Sequence, residues 1–242
     1  MSNIKSLIKK IPFIKKILTD LNNENERNIF ISNELKRIPN DMKILDAGCG
    51  SQKYRQYCDH LEYYGQDFSQ YTVSDKKMFN EGSENYEYGK LNYVGNIWEI
   101  AEKDAFFDVI LCTEVFEHIP YPHETLTEFT RLLKPGGRLI LTAPSNCLRH
   151  MDPFFFYSGF SDRWYEKFLM DNGMDIEKIE NVGDYYSWLS VEMARTALSH
   201  SLIAKILLLP AFIYYLNKKP TEESINSLVM GYHVVANKKQ IF

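Results

Sequence analysis

The sequence predicts a three-layer α/β fold with a parallel sheet, and three observations carry that prediction. Strand-like and helix-like stretches alternate throughout residues 43–143, the pattern of a sheet covered by helices on both faces. An apolar run, Ile44-Leu45, enters a carboxylate and two glycines, Asp46-Ala47-Gly48-Cys49-Gly50. This reads as a buried strand running into a tight turn and then a helical segment after Gly50, the missing Cβ atoms letting backbone approach a ligand. Phe106 to Cys112 is almost continuously apolar, as a central strand buried on both faces must be.

Size and composition agree. A chain of 242 residues that is 45% hydrophobic can bury one sizeable core. The net charge of −4 gives no electrostatic reason to expect a nucleic-acid partner. Cys49, Cys58, Cys112 and Cys147 are widely spaced, which suggests neither a zinc site nor a disulfide framework and fits a reducing, cytoplasmic setting. No apolar stretch reaches the roughly 20 residues of a membrane span, and no secretory signal is expected.

Residues 1–21 carry five lysines before the first acid, Asp20. At about 100° per residue, Ile4, Leu7, Ile8, Ile11, Ile14 and Leu18 gather opposite Lys5, Lys9 and Lys16, an amphipathic helix kinked at Pro12. Such a segment suits peripheral contact with an anionic membrane, the inner face of the cell membrane, or simple packing on the domain. The expected division is therefore 1–40 as an N-terminal basic segment and 41–242 as the main domain. Residues 22–37 read as a helix. Leu61–Gly65 is the expected second strand, ending at Asp67, and 69–90 a loop with a short helix. Leu91–Val94 forms the third strand, followed by Gly95-Asn96-Ile97. Leu126, Phe129, Leu132 and Leu133 show helical spacing, and Lys134-Pro135-Gly136-Gly137 ends that helix. Arg138–Ala143 is the fifth strand.

In such folds ligands sit at the carboxyl ends of the strands. The glycine turn, Asp67, Asn96 and Thr113–His118 all fall there, so four loops converge on one crevice. A carboxylate about 20 residues beyond the glycine turn is placed to hold ribose hydroxyls.

These residues resemble the class I S-adenosylmethionine-dependent methyltransferases. The resemblance rests on Ile44–Gly50, Asp67, Gly95-Asn96-Ile97, Phe107–Cys112, Glu117-His118-Ile119, Leu132–Gly137 and Gly231-Tyr232-His233-Val234-Val235-Ala236. It implies a Rossmann-like sandwich with a seven-stranded, mostly parallel sheet whose last strand, about Met230–Ala236, runs antiparallel. It also implies S-adenosylmethionine as cofactor. Asp46, Gly48, Cys49 and Gly50 would lie at its methionine half and Asp67 at the ribose. Phe68 and Ile97 would flank adenine with Asn96 near its amine, and Cys112 and Thr113 would cover the methionyl side. Two departures stand out. Gln52 occupies a position that is small in many relatives, and Asn96 replaces an aspartate, so its amide oxygen must do the accepting.

Methyl transfer from a sulfonium requires chiefly that nucleophile and methyl be held in line, and a hydroxyl acceptor benefits from a nearby base. His118, flanked by Glu114 and Glu117, is one candidate. His150, at the head of the aromatic stretch His150–Tyr157, is another, and Tyr157 a third. No His/Asp/Glu set has metal-ligand spacing along the chain, so no metal is expected. Ser161–Asn172 reads as a helix and Asp175–Val182 as the sixth strand. An insertion at about 184–228 holds Ile206–Leu216, eleven residues including Pro210 and too short to span a bilayer. The expected activity is methylation of a hydroxyl on a sugar, a lipid-linked saccharide or another small acceptor. The alternatives are a quinone-like or fatty lipid methylated at carbon or oxygen, and a non-catalytic partner subunit. The oligomeric state is not legible.

Overall fold

The computed structural model describes residues 23–71, 87–199 and 202–240. The expected helix at 1–21 lies outside them, as does most of the expected loop at 69–90. The described chain forms two compact units. One holds Ile31–Glu180 and the chain from Gly231, the other Asn181–Met230 and the described residues up to Phe30.

The first unit is built on a seven-stranded sheet. Its strands are β1 (Lys43–Ala47), β2 (Glu62–Asp67), β3 (Tyr93–Val94), β4 (Phe107–Thr113), β5 (Leu133–Pro144), β6 (Met174–Val182) and β7 (Gly231–Lys238), in the order β3-β2-β1-β4-β5-β7-β6. β1 pairs in parallel with β2 and β4, and β4 with β5, whereas β7 runs antiparallel to β5 with Leu139 opposite Ala236. The helices are α1 (Glu24–Lys36), of which this unit holds the part from Ile31, α2 (Pro122–Leu132) and α3 (Asp162–Asp171). The α/β class, the seven strands and the antiparallel last strand are all as expected.

Each element has a local cause. α2 starts on a proline, whose missing N–H would be unpaired there in any case, and buries Leu126, Phe129 and Leu132. Leu45, Ile110, Phe116, Leu139, Leu141 and Val234 complete that core. α3 is capped by Ser161, whose hydroxyl accepts from the Trp164 N–H at 3.2 Å. The Lys-Pro-Gly-Gly turn bulges out of the β4–β5 ladder, and Lys134 Nζ bonds Asp108 at 2.7 Å. A Cβ on Gly137 would sit 2.8 Å from the Lys134 carbonyl, so the turn needs glycine.

Two expectations are corrected. The segment after Gly50 is not an α-helix but a set of turns with one 3₁₀ turn, Arg55–Tyr57. Gln52 has φ 59°, a left-handed conformation that cannot seed a right-handed helix. Its amide is also tied down, donating to the Lys90 carbonyl at 2.7 Å. The third strand is two residues rather than four, because Asn92 turns both its N–H and its side-chain oxygen to Gly65 (2.8 and 3.0 Å).

The second unit contains α4 (Tyr185–Ser199), α5 (Leu202–Leu216) and α6 (Glu222–Ser227). Buried Asp184 organises it, accepting from the Ser187 N–H (2.9 Å) and the Ser224 hydroxyl (2.6 Å) and so tying α4 to α6. Among the described residues no helix is long and apolar enough to cross a membrane.

Candidate active site

Turns at the carboxyl ends of β1 to β4 enclose a cavity of about 280 Å³ in the first unit. Of the residues expected to hold cofactor, Gly48, Asp67, Phe68, Asn96, Ile97 and Thr113 line it.

The first turn is fixed by backbone. Gly48 has φ +72°, and a Cβ there would lie 2.5 Å from Val115 Cγ2. Its N–H donates to the Gln66 carbonyl (2.9 Å) and to Gln66 Oε1 (3.1 Å). Gln66 Nε2 in turn donates to the Gly95 carbonyl at 2.8 Å. One buried amide thus laces the first turn to the third. Sequence reading missed Gln66, although strand alternation turns it away from Asp67, towards a place where a buried amide must find partners.

Asp67 closes the second turn. Its two oxygens accept from the Gly50 and Ser69 N–H groups at 2.9 and 3.1 Å. Burial raises its pKa while these N–H groups pull it back, and each oxygen keeps a lone pair for a further donor. The Asn96 amide nitrogen donates to Glu99, which leaves its oxygen as the acceptor that the sequence required.

Asp46, Cys49, Gly50 and Cys112 are not among the residues that line the cavity. Asp46 is buried, takes a 2.6 Å hydrogen bond from the Tyr63 hydroxyl, and is pushed by burial up to about 7. Burial likewise raises the Cys49 and Cys112 thiols, which makes them inert. One of the four is seen supporting a cofactor turn. Gly50 does so by donating to Asp67.

The opposite wall is made of side chains. Met151, Phe154 and Phe156, from the stretch after β5, line it together with Trp98, Val115 and Ile119. The Phe156 and Tyr157 N–H groups both donate to the Glu117 carbonyl (2.9 and 3.2 Å), and Arg149 grips Asp152 through two nitrogens. Phe154 packs edge-on against Phe68 with centroids 4.8 Å apart. The stretch is therefore a wall of the cavity rather than padding on the sheet edge.

Of the three candidate bases, only His118 lines the cavity. Its Nδ1 lies 2.6 Å from the Phe154 carbonyl. A carbonyl only accepts, so Nδ1 carries the proton and Nε2 the lone pair. Burial holds the ring down to about 4, hence neutral at pH 7. His150 lies behind it, with ring centroids 4.6 Å apart and its Nδ1 donating to the Leu148 carbonyl. The Tyr157 hydroxyl donates to the Pro120 carbonyl at 3.2 Å, outside the lining. Glu117, His118 and His150 also offer ligand atoms all within 4.8 Å of one another. Folding thus assembles a set that could hold a cation, though no spacing along the chain announced it.

Comparison with known proteins identifies the domain that holds this site. Residues 45–141 match the model of a methyltransferase domain. The chain carries a class I S-adenosylmethionine-dependent methyltransferase domain. Among curated proteins, a ubiquinone biosynthesis O-methyltransferase of Maricaulis maris is 31% identical over 102 residues, 41% of this chain and 39% of the relative. The match thus spans about two fifths of that relative's length. A phosphoethanolamine N-methyltransferase of Haemonchus contortus, solved with S-adenosylmethionine, superposes over 89% of this chain and 53% of its own, with 18% identity and TM-score 0.55. The [4+2]-cyclase SpnF matches as well, over 89% of this chain and 81% of its own, with 15% identity and TM-score 0.55. At such identities the likeness is one of fold, and fold alone does not choose a reaction.

The cofactor of this domain is S-adenosylmethionine, and the residues present fit it. Gly48, having no Cβ, lets the first turn close on Val115 at the cavity edge. Asp67 offers carboxylate lone pairs at the second strand's tip, and Asn96 an amide oxygen between Gly95 and Ile97.

Proposed function

We propose that the chain methylates a hydroxyl on an apolar, ring-bearing small molecule of phenol or quinol type. The carrying observation is the wall facing the cofactor turns, where His118, its Nε2 lone pair 3.7 Å from the Glu117 carboxylate, stands among Met151, Phe154 and Phe156. Bound at the turns, S-adenosylmethionine supplies a methyl group on a sulfonium.

The chain's own residues do the rest. Asp67 and the Asn96 oxygen hold the nucleoside through hydrogen bonds, those to the ionised carboxylate contributing roughly 1.5–3 kcal/mol each. The aromatic wall excludes water and orients a flat acceptor. His118 Nε2 accepts the hydroxyl proton. A ring held near 4 is a weak base, so it suits an acidic hydroxyl near 10, like that of tyrosine, better than an alcohol. The curated relative's name, an O-methyltransferase of ubiquinone biosynthesis, supports the same class. A saccharide hydroxyl, free or lipid-linked, is the second reading, favoured by Gln70, Tyr88 and Glu114 in the lining.

The test is release of S-adenosylhomocysteine from S-adenosylmethionine across a panel of substituted phenols, quinols and glycosides. Phenols and quinols should turn over faster than glycosides by roughly ten-fold or more, and His118→Ala should slow them. Turnover of glycosides alone would replace this reading with the second. Failure of the folded chain to bind S-adenosylhomocysteine in a calorimeter would leave the non-catalytic subunit. A chelator added to the same assay reads whether the Glu117, His118 and His150 set works through a bound cation.

A further inference from the structure

Helix α5 does not behave as a packed helix of a water-facing domain should. It is apolar nearly all round: Leu-Ile-Ala-Lys-Ile-Leu-Leu-Leu-Pro-Ala-Phe-Ile-Tyr-Tyr-Leu. Ala204, Leu208, Ala211, Phe212 and Tyr215 form a half-buried stripe. Tyr215 of that stripe meets Tyr186 of α4, with ring centroids 5.8 Å apart. None of the fifteen residues is buried. On the other side Leu202, Ile203, Ile206, Leu207, Ile213 and Tyr214 are between 51% and 72% exposed.

The shape of this surface says what it fits. At about 100° per residue the exposed apolar side chains sweep roughly 180° of the helix, wider than the narrow seam one partner helix covers. Lys205 stands at one edge of that arc, and Lys218 and Lys219 follow the helix end. Lys218 Nζ sits 4.0 Å over the Tyr186 ring and 5.6 Å from the centroid of Tyr214, a cation and aromatic rings at one boundary. No acidic residue occurs from 193 to 221, although the whole chain is acidic at −4. A second copy docking here would bring two basic rims together with no carboxylate in this stretch to answer them. A surface of anionic headgroups over an apolar interior complements both the rim and the arc. Fifteen residues make a helix of about 22 Å, short of the roughly 30 Å hydrocarbon core, so α5 would lie in the interface and not cross it.

We propose that α5 is a docking surface for an anionic lipid bilayer. Its apolar arc rests at the acyl boundary, and Lys205, Lys218 and Lys219 reach the lipid phosphates. The inference stands apart from the reading of the active site.

The test is flotation of the full chain with vesicles of phosphatidylglycerol mixed into phosphatidylcholine, against vesicles of phosphatidylcholine alone. The chain should float with the mixture and lose most of that binding in high salt. Ile206→Glu with Ile213→Glu should abolish flotation while circular dichroism and the melting temperature stay unchanged, since both side chains are exposed. Changing Lys205, Lys218 and Lys219 to Gln should weaken it about 100-fold, near five-fold per lysine. Equal binding to phosphatidylcholine alone would overturn the anionic assignment. Binding untouched by either set of variants would move the contact elsewhere, the basic residues 1–21 included, and overturn the role of α5. A lipid-free dimer in sedimentation equilibrium that the Glu variants dissociate would make the occupant a second copy instead.

Discussion

The two walls of the active-site cavity are built from different materials. The cofactor wall is backbone: turns at strand ends, with Gly48 at φ +72°, held by buried polar side chains that donate to and accept from main-chain groups. Gln66 and Asp67 alone account for four such bonds. The acceptor wall is side chain: Met151, Phe154, Phe156 and His118, hung on a loop fastened at the Glu117 carbonyl. A backbone wall must suit one ligand and tolerates little change, whereas a side-chain wall can be altered without moving the sheet. Cofactor recognition should therefore be brittle and acceptor recognition tunable.

The largest effect should come from Gly48→Ala. The new Cβ would meet Val115 at 2.5 Å and force a non-glycine residue to φ +72°. Affinity for S-adenosylhomocysteine, read by calorimetry, should fall roughly 1,000-fold, about 4 kcal/mol. Adding Val115→Ala should restore part of the loss, leaving the backbone strain of about 1–2 kcal/mol. Full recovery in the double variant would mean that side-chain crowding, not backbone, makes this wall strict.

Asp46 tests the same wall through stability. Its carboxyl is raised from 3.8 to about 7, first by burial and then, against the Tyr63 hydrogen bond, by the nearby Asp67 charge. The folded chain holds a proton there that the unfolded chain has released, so between about pH 4 and 7 this group makes the fold less stable as pH rises. Above pH 7 the cost is constant, on the order of 4 kcal/mol at most. Asp46→Asn should leave the melting temperature nearly unchanged at pH 4.5 and raise it at pH 8. An equal change at both pH values would show that Asp46 is not a buried charge at neutral pH.

The same division explains what the sequence made legible. The cofactor wall was readable because backbone turns demand particular residue types: glycine at a positive φ, a carboxylate at a strand tip, an amide oxygen after the third strand. The sheet was readable because burial on both faces leaves runs such as Phe107–Cys112. Position relative to the cavity was harder. Asp46 and Cys112 belong to the motif but are not in the lining, and Gln66 is in the lining without a recognisable signature. The helix expected after Gly50 failed on one dihedral angle at Gln52. The acceptor wall was legible only as an aromatic stretch. Which of His118, His150 and Tyr157 faces inward depends on how residues 148–157 fold back onto Glu117, a contact with no periodic trace. The exposure of α5 was hidden for a related reason, since apolarity reads the same whether the face is covered or bare.

The smallest effect, and the one that bears most on the comparison, belongs to Phe154. Its ring lines the cavity and packs edge-on against Phe68 of the cofactor wall, 4.8 Å between centroids, while its carbonyl fixes the His118 tautomer. Phe154→Ala removes the ring and keeps the carbonyl. Independent walls require acceptor KM to rise roughly ten-fold, about 1.4 kcal/mol of lost apolar contact. Cofactor affinity would then hold within about two-fold, and kcat would change little because His118 keeps its lone pair. If cofactor affinity falls with acceptor affinity, Phe68 and Phe154 act as one unit. The side-chain wall would then help shape the backbone one, and the cavity would close on cofactor and acceptor together.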